Sequence, residues 1–126
     1  MVYLDFAHAP SKVAATTQAF KAWFGNMELL AVLELHTFSS LNPEFIVQYK
    51  NSLNPADEAI VFYNEHTLKM KNMPPLDAAF LIKSFGHNNM KIFTDELALH
   101  QYINTKKEEN ILLMTSGNFN KMKLDF

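Results

Sequence analysis

The sequence predicts an α/β domain: a three-layer, Rossmann-like arrangement with a mostly parallel sheet of five or six strands and helices on both faces. Three observations carry this expectation. Short apolar runs of strand length alternate with helix-spaced apolar residues along the whole 126-residue chain. One such run, Leu29 to Leu35 (LLAVLEL), is apolar almost without a break, as in a strand covered on both faces. Hydrophobic residues make up 48% of the chain, enough for a sizeable core in one domain over residues 1–126.

Each element has a local reason. Val2 to Phe6 is a short apolar run and reads as a strand. Pro10 suits the first turn of a helix, where its missing N–H costs little. Val13, Thr17, Phe20 and Phe24 follow at helical spacing, and Gly25 stops the helix. Leu29 to Leu35 is the second strand, and His36 to Asn42 a loop. Pro43 starts a second helix with Phe45, Ile46 and Tyr49 inward, broken at Asn54-Pro55. Glu58 to Tyr63 is the third strand. Asn64 to Pro75 reads as a polar connection. Leu76 to Phe85 is helical and ends before Gly86. Lys91 to Thr94 is a fourth strand. Asp95 to Asn104 is a helix capped by Thr94 or Asp95, with Leu97, Ala98, Tyr102 and Ile103 inward. Ile111 to Thr115 is the fifth strand, and a polar tail follows. The strand at the second residue suits a domain cut from a longer chain.

Composition narrows the function. A net charge of -2 gives no electrostatic reason to expect a nucleic-acid partner. No apolar run is long enough to span a bilayer, so no membrane partner is expected. The absence of cysteine removes disulfides and thiolate metal sites, and fits a cytoplasmic location. All 11 basic residues are lysines. No guanidinium fork is present for bidentate capture of an anion, so any anion site must use lysine, histidine, backbone N–H groups or neutral donors.

In an open parallel sheet, ligands bind beyond the carboxyl ends of the strands. That rule nominates the loops at Asp5–Pro10, Glu34–Ser40, Asn64–Thr67 and Ser116–Asn118. In the first, a strand-end carboxylate, Asp5, is placed to accept ribose hydroxyls. His8 precedes a helix N-terminus, whose free N–H groups favour anions. The plainer alternative is that Asp5 caps the helix and His8 packs on the turn. In the second loop, Glu34, His36, Thr37, Ser39 and Ser40 form either a polar substrate rim or a set of local turns. Glu65 and His66 in the third loop are no more specific. Gly117 allows close backbone approach or a positive φ. Neither G-x-x-x-x-G-K-[ST] nor G-x-G-x-x-G occurs, and the five histidines show no metal-ligand spacing. The phenylalanines and methionines read mostly as core, and Lys106 to Glu109 (KKEE) as a solvated helix end.

The stretch "LDFAHAPSKVAATTQAF" resembles the opening of the C-terminal domain of the Mur ligases, the ATP-dependent amide-forming enzymes of peptidoglycan synthesis. Asp5, Phe6, Ala7, His8 and Pro10 match the family's Asp-aromatic-Ala/Gly-His-x-Pro signature. "LELHTFSSLN" and "LLMTSGNFNKM" match two later stretches in order and spacing. The likeness runs first to the member that joins L-alanyl-γ-D-glutamyl-meso-diaminopimelate to UDP-N-acetylmuramate, in synthesis or recycling, and next to the L-alanine-adding member.

The resemblance implies a three-domain cytoplasmic ligase. Its N-terminal domain binds the UDP-sugar, its central domain holds ATP and Mg with the phosphate loop, and this chain is the third domain. It implies ATP contacts from Asp5 and His8, and substrate contacts from His36, Thr37, Ser39, Ser116, Gly117 and Asn118. It implies no resident metal and no catalytic set in this domain alone, so the isolated domain would be inactive. The chain departs from the family at "LHTFSS", where the muropeptide ligases carry an arginine. Either His36 or its hydroxyl neighbours take that role, or the substrate is held differently. Two other readings stay open at this point: a stand-alone binding domain without ATP chemistry, and the C-terminal domain of a folate-polyglutamating ligase.

Overall fold

A computed structural model describes residues 1–126. Strands β1 (Val2–Asp5), β2 (Leu29–Glu34), β3 (Glu58–Phe62), β4 (Met90–Phe93) and β5 (Asn110–Met114) form one sheet in the order β1-β5-β2-β3-β4. All four pairings are parallel. The helices are α1 (Pro10–Phe24), α2 (Pro43–Ile46), α3 (Glu65–Met70), α4 (Ala78–Phe85) and α5 (Glu96–Thr105), and a 3₁₀ turn over Val47–Tyr49 extends α2. None of these helices is long and apolar enough to cross a membrane.

The punctuation residues act as their chemistry requires. Pro10 sits in the first turn of α1, and Gly25, at φ 63°, closes it by donating its N–H to the Lys21 carbonyl. Asn42, Asn64, Asp77 and Asp95 each accept a backbone N–H from the first turn of the helix that follows. These caps explain the differences from expectation. Asp77 caps α4, so the helix begins at Ala78 and not at Leu76. The stretch Asn64–Pro75 is not wholly a connection, because Asn64 nucleates α3 there. That helix buries Leu68 alone and therefore leaves no apolar period in the sequence. In α5, Leu97 is 69% exposed and Leu99 is buried instead. With Asp95 as cap, Leu99 and Ile103 lie one turn apart on the sheet face, and Leu97 points away.

The two faces of the sheet are covered unequally. On one side Leu29, Ala31, Leu33, Ala59, Val61, Leu112 and Met114 pack against Val13 of α1, Ile46 and Tyr49 of the second helical segment, and Leu81 and Phe85 of α4. On the other side Leu30, Val32, Ile60, Phe62, Ile111 and Leu113 meet Leu99 and Ile103 of α5 and, from the tail, Phe119 and Met122. Each fully buried Val, Leu, Ile, Phe or Met among them contributes about 1.5–3 kcal/mol. Strand β1 is at the edge. Tyr3 packs edge-on against Phe20 and tilted against Phe24 of α1, ring centroids 5.3 and 5.4 Å away, while Leu4 points to the thinly covered side and stays exposed.

Charged clamps sit at the amino end of the strands. Lys21 of α1 reaches Asp57 at 2.7 Å, and Asp57 also accepts the Leu29 N–H at 2.8 Å, tying α1, β2 and β3 together. Glu58 is buried and receives the Tyr102 hydroxyl, with Lys91 at 3.0 Å and Lys106 at 3.5 Å. Lys106 is thus half-buried on an ion pair, and not part of a wholly solvated run as its sequence suggested. Burial pushes the Glu58 carboxyl up, but the Tyr102 hydroxyl and the two lysines outweigh it and hold the group below its ordinary value of 4.5. A depressed folded pKa adds stability above the unfolded pKa, and that stability is lost as pH falls through the folded value. Glu58→Gln should therefore lose about 2 kcal/mol near neutrality. Urea unfolding from pH 7 to pH 3 should show the variant and parent curves converging at the acid end.

Candidate functional site

The site is set by strand register. Asp5 ends β1 opposite Met114 of β5, and Met114 is also paired with Leu33 of β2. The Thr115 N–H then donates to the Asp5 carbonyl at 3.1 Å. The carboxyl ends of three strands therefore lie level, and the loops that leave them share one edge. A shallow cavity of about 280 Å³ opens there, lined by Leu4, Asp5, Phe6, Thr115, Ser116 and Gly117. A larger cavity of about 500 Å³ lies between α5 and the tail and includes none of the residues nominated from sequence.

Asp5 does not cap α1. The cap position is Ala9, which has no side chain to serve it, and no acidic residue lies in the first turn. Asp5 Oδ1 instead accepts the Ala7 N–H at 2.8 Å, which bends the chain out of β1. Its other oxygen makes no hydrogen bond within the chain. His8 Nδ1 lies 2.9 Å from the Phe6 carbonyl. A carbonyl only accepts, so Nδ1 carries the proton and Nε2 is left free. The chain is held here from a distant element: Tyr49, stacked on Phe85, donates its hydroxyl to the His8 carbonyl at 2.5 Å. Burial pushes the Tyr49 phenol up to about 12. Tyr49 was legible from sequence as a core residue, but its anchoring of His8 was not, because the pair is 41 residues apart.

The loops after β2 and β5 touch. A Cβ on Gly117 would lie 2.9 Å from His36 Cδ2, so glycine is required by close approach and not by a positive φ. His36 and Gly117 are thus brought together. Thr37 and Ser40 bond each other through both hydroxyls and both backbone N–H groups, which is the local-turn arrangement. Ser39 is exposed beside them. Asn118 is exposed and accepts the Lys121 N–H at 3.1 Å. Glu65 and His66 belong to α3, beyond β3, and line no part of this cavity.

Glu34 is placed differently from its loop neighbours. It is 4% exposed and lies beneath the loop after β5. Its Oε1 accepts the Thr115 hydroxyl at 2.5 Å and the Phe119 N–H at 2.9 Å, and Thr115 Oγ1 in turn accepts the Gly117 N–H at 2.8 Å. Beyond it, Phe119, Asn120 and Lys121 have φ of 52°, 54° and 61°, a left-handed turn without glycine. Such residues cost about 1–2 kcal/mol each. The burial of Phe119, whose ring lies 6.0 Å from Phe62, offsets part of that cost. No group of His, Asp and Glu side chains in the chain could hold a metal ion.

No family model matches the chain. UDP-N-acetylmuramate–L-alanine ligases of Christiangramia forsetii and Caulobacter vibrioides are 26% and 27% identical to it, each over 90% of this chain. A domain of a UDP-N-acetylmuramate:L-alanyl-γ-D-glutamyl-meso-diaminopimelate ligase from Haemophilus ducreyi superposes with a TM-score of 0.68 at 24% identity, covering 96% of this chain and 83% of that one. The chain has the fold of a Mur ligase C-terminal domain. The murein peptide ligase of Psychrobacter arcticus has the same fold at a TM-score of 0.70 and 15% identity, over 96% of this chain and 26% of that one. The chain spans about a quarter (24%) of the length of the two curated relatives it matches.

Two outcomes follow from the geometry. Gly117→Ala should cost about 1 kcal/mol in chemical denaturation, because the added methyl displaces His36. In the His36→Ala background that cost should fall by more than half, a coupling that a double-mutant cycle measures. For Tyr49, the raised folded pKa means its contribution is complete below pH 10 and is lost between pH 10 and about 12. Tyr49→Phe should remove that alkaline loss, read from unfolding curves across the same interval, and cost about 1 kcal/mol at pH 8 by leaving the His8 carbonyl unpaired.

Proposed function

We propose that the chain is the C-terminal, nucleotide- and amine-contacting domain of an ATP-dependent ligase of cell-wall peptidoglycan synthesis or recycling. The observation that carries this reading is the joining of Asp5 and Ser116–Gly117 around one cavity at the carboxyl edge of the sheet, in a chain whose relatives are Mur ligases.

The residues fit a nucleotide. Asp5 has one carboxylate oxygen free to accept ribose hydroxyls. The free Nε2 of His8 would accept a hydroxyl or amino hydrogen of the nucleotide, and the uncapped first turn of α1 suits its phosphates. They do not fit Mg by themselves, since no metal-holding cluster is present. Magnesium and the phosphate-gripping groups would belong to the other domains of the ligase. In the proposed reaction a carboxylate oxygen of UDP-N-acetylmuramate would take the γ-phosphoryl group of ATP, the bond from that phosphorus to the bridging oxygen would break, and ADP would leave, giving an acyl phosphate. The free amine of L-alanine, or of L-alanyl-γ-D-glutamyl-meso-diaminopimelate, forms a bond to the acyl carbon. The carbon–oxygen bond to phosphate breaks, phosphate leaves with the electron pair, and one proton of the amine passes to solvent while the other stays as the amide N–H. The part of this chain is orientation: Ser116, Gly117 and Asn118, with His36 behind them and Thr37 and Ser39 at the rim, would place the amine against the activated carbon.

In the full-length ligase, Asp5→Ala should raise the apparent KM for ATP about tenfold, the loss of one or two charge-assisted hydrogen bonds. The KM for the amine should stay within about twofold. An unchanged KM for ATP would return Asp5 to a turn-forming role. The 126-residue chain alone should form no amide from ATP, UDP-N-acetylmuramate and either amine, as followed by phosphate release.

A further inference from the structure

The loop after β5 needs something to fix its shape. Its backbone crosses the carboxyl edge at Ser116–Asn118 with no strand partner, then enters a left-handed turn that non-glycine residues resist. The groups that fix it converge on one buried carboxylate. Glu34 Oε1 takes the Thr115 hydroxyl and the Phe119 N–H, so both ends of the loop end on the same oxygen. Thr115 passes the constraint inward by accepting the Gly117 N–H.

The carboxylate has no counter-ion. No lysine or histidine lies within 4.0 Å of it, unlike Glu58 and Asp57, whose charges are paired. A buried polar group is costly unless donors near it satisfy it. Here those donors belong to the loop.

We propose that Glu34 is the positioning residue of this site. It fixes the Ser116–Asn118 backbone in the shape that receives the amine substrate, and Thr115 is its relay. Glu34 does not itself line the cavity and so acts through the loop. The amine-binding part rests on the function proposed above; the loop-fixing part does not.

The experiment uses the 126-residue chain and its Glu34→Ala, Glu34→Gln, Thr115→Val and Thr115→Ser variants. Amide hydrogen exchange is read at Gly117 and Phe119, with Leu30 and Ile60 as core controls. Glu34→Ala should speed exchange at Gly117 and Phe119 at least tenfold, with the controls unchanged. Glu34→Gln keeps a carbonyl acceptor and should restore most of the protection. Thr115→Val should release Gly117, and Thr115→Ser should not. Should Glu34→Ala not fold, Thr115→Val against Thr115→Ser answers the same question at Gly117. Exchange at Gly117 and Phe119 unaltered in Glu34→Ala, or at Gly117 in Thr115→Val, would overturn the proposal.

Amide-shift titrations with L-alanyl-γ-D-glutamyl-meso-diaminopimelate and, separately, with ATP test the second part. Glu34→Ala should weaken the tripeptide about tenfold at Ser116–Asn118 and leave the ATP response at Asp5 and His8 within twofold. Equal weakening of both would mark a general structural role and overturn the positioning claim. If neither probe perturbs the parent chain, the functional reading fails, while the exchange data still decide whether Glu34 fixes the loop.

Discussion

The insertion of β5 between β1 and β2 is the constraint on which the rest of the site depends. It is the last strand in sequence and occupies an interior place in the sheet. Its parallel register sets Asp5, Met114 and Leu33 level. One step further, Thr115 binds the backbone of β1 and the side chain at the end of β2. Residues more than 80 positions apart therefore meet through backbone pairing and a single hydroxyl. Without β5 in that place, the first and last loops would have no common cavity.

The fold was legible where chemistry is local. Pro10 and Gly25 bound α1, and the apolar run at Leu29 marked a strand buried on both faces. What failed to show was set by single contacts. α3 has one buried residue, Leu68, and an asparagine cap, too little to make a period. Leu97 and Leu99 are both apolar, and only the start of α5 at its Asp95 cap decides which one faces the sheet.

The site was legible in outline and not in its wiring. Asp5 and Ser116–Gly117 could be nominated because strand ends in a parallel sheet must share an edge. Gly117 could be flagged, but only the structure separates close approach to His36 from a backbone requirement. Glu34 read as one polar residue among several in its loop, since sequence does not reveal that β2 buries its last side chain under a neighbouring loop. The anchoring of His8 by Tyr49 was equally hidden, because a core tyrosine and a hydrogen-bonding tyrosine have the same apolar spacing.

The two ends of the strands carry different work. The ion pairs of Asp57 and Glu58 lie at the amino end, and the loops that line the candidate site leave from the carboxyl end. The body of the sheet separates them. A chain arranged in this way can change what it recognises by altering a handful of loop residues, while the charges that lock its helices to the sheet stay as they are. Recognition and cohesion can then be altered independently.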